Sequence, residues 1–216
     1  MNKRIEWVDI CKFLAISLMI AGHIGVPKML DVIIHAFHMP VFFILAGLVY
    51  DESKNMLFGE YIKKRAKQLL TPYFVYGAIS YIWYVIFSKF SHSEYYGIAV
   101  FLKEMFFMDA ANPAFAGVGI VQWFFTAMLF CSIFSWIMLR ISLILKWPLA
   151  FKTGCIILLL IVSTVLKYLH VPNILGMVSG IIGSAFYILG NILRGCVSRL
   201  ESVAILEIFF GGAYLS

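Results

Sequence analysis

Six apolar runs, each close to twenty residues long and parted by polar connections, constrain this chain more than anything else in it. They fall at residues 8–26, 32–50, 69–87, 121–143, 153–169 and 174–193. A helix needs about 20 apolar residues to cross the ~30 Å hydrocarbon core of a bilayer. The 216 residues are 62% hydrophobic and only 13% charged, with a mean hydropathy of +0.94, whereas soluble domains are roughly 45–50% apolar and about 25% charged. In water that excess would surface as large sticky patches. A soluble enzyme, a disordered chain and a disulfide-stapled secreted domain are therefore excluded, and the sequence predicts an all-α, polytopic integral membrane helix bundle.

The first run imitates a signal peptide, with Lys3 and Arg4 before it. Asp9 and Lys12 interrupt its first turns and no clean cleavage site follows, so it reads as a retained first span. Residues 28–31 mark a turn, and Pro40 should bend or loosen the second span. Residues 51–68 are the most polar stretch. Pro72 falls in the first turns of the third span, where a missing N–H is best tolerated. The longest connection is 88–118, with an interfacial segment at 98–108. The last stretch, 203–216, reaches only about 21 Å as a helix, so it reads as the first half of a seventh span. One membrane domain over 1–216, incomplete at its C-terminal end, is expected.

Lys and Arg collect in cytoplasmic loops. Thirteen of the 17 basic residues fall on the side of the N-terminus, and Lys28, Lys89, Lys103 and Lys167 on the other. The expectation is a multi-pass protein of the cell membrane with a cytoplasmic N-terminus. This bias accounts for the net charge of +6 without a nucleic-acid partner. Cys11, Cys131, Cys155 and Cys196 show no zinc-like spacing and read as small hydrophobes. Gly176-x3-Gly180 reads as plain helix packing.

Ionisable groups inside spans are expensive and usually face a polar interior. His23 ends the first run and His35 and His38 open the second, so a hairpin between the runs brings all three together near its tip. Residues at i and i+3 share a helix face, which aligns His35 with His38. Histidine takes and returns protons near neutral pH, so one of them could deprotonate a hydroxyl. The ordinary reading of each is a satisfied interior histidine; a metal or haem pair has no carboxylate or thiolate partner, and no metal is expected. Asp9 and Lys12, also i,i+3, read either as a mutually neutralising pair or as a group orienting a ligand. The cluster Lys63-Lys64-Arg65-Ala66-Lys67 reads either as a topology signal that attracts anionic lipid or as a phosphate dock.

Arg4…Asp9-Ile10-Cys11-Lys12…His23, followed by Phe37-His38-Met39-Pro40-Val41-Phe42-Phe43-Ile44-Leu45-Ala46-Gly47, resembles the opening of the membrane acyltransferase-3 family. The FHMP sequence is similar to its fucose 4-O-acetylase-like branch. Gln122-Trp123-Phe124-Phe125-Thr126-Ala127 and Ala185-Phe186-Tyr187-Ile188-Leu189-Gly190 resemble two later aromatic signatures of the family. Family members usually have about ten spans, so the chain resembles an N-terminal portion or a short variant.

The resemblance implies transfer of an acyl group, usually acetyl, from acyl-CoA to a hydroxyl of a cell-envelope carbohydrate or lipid-linked glycan. The family's essential histidine falls on His23 and its FHMP histidine on His38; with Asp9 these are the candidate catalytic residues. The family's R-x-x-R falls on Arg65-x-x-Gln68, and its arginine after the Asp on Lys12. Donor binding is accordingly expected at Arg65, Lys64, Lys67 and Lys12. Lys lacks the planar fork of Arg, so it replaces the missing arginine only as a point charge. Because CoA is cytosolic and His23 lies nearer the opposite side, the thioester arm must thread between helices or an acyl relay must intervene. A non-catalytic scaffold and a small His-dependent transporter are the alternative functions.

Overall fold

The computed structural model describes residues 6–52, 56–91, 97–107 and 122–211. Among them the chain forms seven α-helices and no strand: α1 (Glu6–Ile24), α2 (Lys28–Leu48), α3 (Phe58–Ser91), α4 (Ile98–Phe107), α5 (Trp123–Ile144), α6 (Pro148–Tyr168) and α7 (Met177–Gly211). Six of these, all but α4, are long and apolar enough to cross a bilayer. Large apolar side chains such as Phe13, Phe74 and Trp83 point outward, each more than 60% exposed. In lipid that outward face is the expected one.

Three boundaries differ from the sequence expectation. The first turn is Gly25–Pro27 rather than 28–31: Gly25 takes φ +94°, and Leu30 and Asp31 already donate to the Pro27 carbonyl. Asp31 thus sits in the first turn of α2, where a carboxylate meets the positive end of the helix dipole. The polar stretch before the third span is helical from Phe58. Hydropathy marks where lipid begins, whereas Glu, Lys, Arg, Ala and Gln at 60–68 are good helix formers and extend α3 outward. Finally, α7 runs without a break from Met177 to Gly211. No turn precedes Val203, so the residues expected to open a seventh span continue the sixth instead; 212–216 lie outside the described residues, as do Arg4, Lys54 and much of 88–118. Pro40 lies within a continuous α2, and the segment expected at 98–108 contains the short helix α4.

The core explains the order of packing. α7 sits centrally, against α2, α5 and α6, while α1 pairs with α2, and α3 packs on α5. Phe43, Ala127, Cys131, Leu139, Tyr187 and Ile188 fill the main cluster. Between α2 and α7 the two backbones nearly touch: a Cβ at Gly47 would run into the Tyr187 carbonyl, and one at Gly190 into the Ile44 carbonyl. Gly176 and Gly180 do the same work against Ala127 and Phe130 of α5. Without a hydrophobic drive between helices in lipid, such close small-residue contacts are what hold them together.

Candidate functional site

Polar side chains gather at two ends of the bundle, joined by α2. At the first end the Gly25–Pro27 turn folds α1 back on α2 and brings the three histidines together. The His23 and His35 ring centroids are 5.8 Å apart, and those of His35 and His38 are 5.3 Å apart, edge to face. His38 is buried, whereas His23 and His35 remain open to the surroundings. Each ring binds the carbonyl one turn back: His23 Nδ1 to Met19 at 2.8 Å, His35 Nδ1 to Asp31 at 3.0 Å, His38 Nδ1 to Ile34 at 2.6 Å. A carbonyl only accepts, so in the neutral ring the proton sits on Nδ1 and donates. That leaves Nε2, with its lone pair, as the basic atom of all three rings. The Asp31 carboxylate also lies 3.0 Å from His35 Nδ1, so that this ring nitrogen meets both the backbone and the side-chain oxygen of Asp31.

The second end lies about 15 Å further along α2, ten residues at 1.5 Å each. Here a cavity of about 180 Å³ is lined by Val49, Tyr50, Asp51, Met56, Tyr61, Lys64, Arg65, Gln68 and Trp136. Arg65 turns inward from α3, its guanidinium carbon 5.6 Å from the centre of the Tyr61 ring, between the phenols of Tyr61 and Tyr187. Lys63, Lys64 and Lys67 stay exposed. Around this cation, the buried phenols of Tyr61 and Tyr187 interact with each other and with the Arg65 guanidinium, and Trp136 Nε1, also buried, closes no hydrogen bond among the described residues. An orphaned buried donor is rare and calls for a partner. Burial pushes the Tyr50 phenol up to about 12, with the Tyr61 phenol and the Glu52 carboxylate adding to the effect against Arg140 and Arg65. Tyr50 therefore keeps its hydroxyl proton at any physiological pH.

The expected site residues thus divide. His23 and His38 come together with His35, as the hairpin predicts. Arg65 and Lys64 line the cavity, and so does Gln68, at the position of the missing arginine. Lys67 does not line it. Asp9 and Lys12 form a 3.6 Å ion pair on α1, half-exposed, and do not line the cavity either. Trp136 and Arg140 of α5 were not anticipated as site residues. Arg140 stacks over Trp136 at 5.3 Å and reaches the Met56 carbonyl at 3.5 Å. The signal for Arg140 was present: a cation inside an apolar run, here one turn before the end of α5, obeys the same rule that singled out the histidines.

A membrane helix bundle with a histidine cluster at one end and a partly buried, inward-turned guanidinium at the other is the class these observations define. A family model described as an acyltransferase domain matches residues 5–209, so the chain belongs to the acyltransferase-3 family and is a membrane acyltransferase by family. No curated protein and no solved structure matches it.

Proposed function

We propose that the protein transfers an acetyl group from acetyl-CoA to a hydroxyl of a cell-envelope carbohydrate, in the manner of the fucose 4-O-acetylase-like branch. The observation that carries the reading is the shared Nδ1–carbonyl contact of the clustered histidines, which presents Nε2 as a base beside the turn of the α1–α2 hairpin. His23 Nε2 takes the hydroxyl proton of the acceptor as its oxygen attacks the thioester carbonyl. The tetrahedral oxyanion collapses, the C–S bond breaks, and the CoA thiolate leaves, taking back the proton held on His23 Nε2. His35 and His38 orient His23; with Nδ1–H bound to a backbone carbonyl, either ring donates to the oxyanion only as an imidazolium, when Nε2 also carries a proton.

The Arg65 cavity supports the donor assignment. Phosphates and amide carbonyls are acceptors, and this cavity combines a guanidinium, Lys64 and the orphaned Trp136 Nε1, with Arg140 beside Trp136 as a second guanidinium. The pantetheine arm would follow α2 toward the histidines. Lys67, and the Asp9–Lys12 pair on α1, act at longer range, through charge and through the placement of α1. With the N-terminus cytoplasmic in the cell membrane, the cavity faces the cytosolic CoA pool and His23 faces the glycan.

The test is transfer of labelled acetyl from acetyl-CoA to envelope glycan by the purified chain in nanodiscs. Transfer that disappears in His23→Ala supports the reading. A wild-type chain that transfers no label would favour the scaffold instead.

A further inference from the structure

Tyr50 and Asp51 line one side of the cavity; with Glu52 they form a short segment that follows α2 and is neither helix nor strand. Each of its three residues is tied to a cation on another helix. Lys152 Nζ of α6 lies 2.7 Å from Glu52 Oε1 and 2.8 Å from Asn191 Oδ1 of α7. Arg194 of α7 reaches Asp51 Oδ1 at 3.6 Å and donates to the Tyr50 carbonyl. Lys152 and Glu52 are largely withdrawn from solvent, their side chains 15% and 19% exposed, and Asn191 is buried. Tyr50 and Asp51 face the cavity that holds Arg65.

We propose that Lys152 is a positioning residue: through Glu52 and Asn191 it fixes the Tyr50–Glu52 segment along one side of the Arg65 cavity, and so sets affinity for the donor. One physical point favours this over incidental pairing. A withdrawn ion pair adds little net stability, but losing one partner leaves the other uncompensated. The pair is thus better suited to hold a geometry than to stabilise the fold. Arg194 ties the two preceding residues, so the segment is fastened to α6 and α7 together, while the opposite wall belongs to α3 and α5.

The inference rests on the donor reading of the cavity, and the experiment separates the two. Hydrogen exchange of the full chain in nanodiscs, without ligand, should show faster exchange at Tyr50–Glu52 in Lys152→Met. It should return toward wild type in Lys152→Arg and in the charge-exchanged pair Lys152→Glu with Glu52→Lys. In transfer assays Lys152→Met should raise the KM for acetyl-CoA, roughly tenfold for a loss of about 1.4 kcal/mol, with kcat close to wild type and KM recovered by arginine. Unchanged exchange at Tyr50–Glu52, or a charge exchange no better than the single variants, would overturn the clamp. So would a fall in kcat at constant KM. Should Lys152→Met fail to fold, the charge-exchanged pair decides alone. A wild-type chain without transferase activity removes the donor reading, and the exchange comparison still decides the clamp.

Discussion

The two polar ends of this bundle are built in opposite ways. The histidine end comes from one hairpin: three side chains within sixteen residues of sequence, each satisfied by its own helix one turn back. The Arg65 end draws on the α2–α3 connection, α3, α5, α6 and α7, and keeps the buried Trp136 Nε1 without a hydrogen-bond partner among the described residues. A locally satisfied base is held ready by its own helix. A site with an inward-turned guanidinium and an orphaned donor is arranged for something that arrives. The contrast predicts that variants at the first end change turnover and variants at the second change donor affinity.

The largest effect should come from His23→Ala. Loss of a general base typically costs 10²–10⁴ in rate, and the KM for acetyl-CoA should stay where it is. Acetyl transfer at the wild-type level, at matched abundance, would remove His23 from the chemistry. Arg65→Ala should do the reverse, raising that KM by roughly tenfold or more, since a hydrogen bond to a charged group contributes about 1.5–3 kcal/mol. Arg65→Lys should recover only part of it, because the planar fork is lost. A collapse of kcat at unchanged KM would break the comparison between the two ends.

Two smaller effects sharpen it. Gly47→Ala forces α2 away from the Tyr187 carbonyl, an overpacking that typically costs 1–3 kcal/mol. Thermal unfolding in detergent should report it, with Gly154→Ala as the control: that position has open space around it, and alanine should gain ~0.5–1 kcal/mol there. Equal behaviour of the two variants would mean that α2 and α7 are not held by backbone approach. The smallest change belongs to His35→Ala, expected to lower turnover less than His23→Ala, since His35 only neighbours the other two rings. A loss as large as that of His23→Ala would make His35 the base.

How much of this was readable in the chain follows from the same contrast. The spans, and the meeting of His23 with His35 and His38, depend on apolar run length and on residues a few positions apart, which sequence displays directly. The start of α3 at Phe58 was missed because hydropathy and helix propensity diverge over 58–68. The unbroken α7 was missed for a related reason: Arg194 and Arg199 signal a membrane face, and a helix can cross that face without ending. At the second end, Arg65 stood out by its charge. Its burial between Tyr61 and Tyr187 did not, because those partners lie in α3 and in α7, more than a hundred residues apart.

By itself, then, the sequence determined that the chain is a bundle of membrane helices, that three histidines crowd one hairpin, and that its motifs are those of the acyltransferase-3 family. The tertiary structure decided which of four neighbouring cations turns inward, that Trp136 and Arg140 join it, and that Lys152 and Arg194 hold the loop beside it. The physical reason is range. Lipid exposure and the helical period act within a few turns of one segment, whereas a partly buried guanidinium or ion pair is defined by whichever distant helices pack around it.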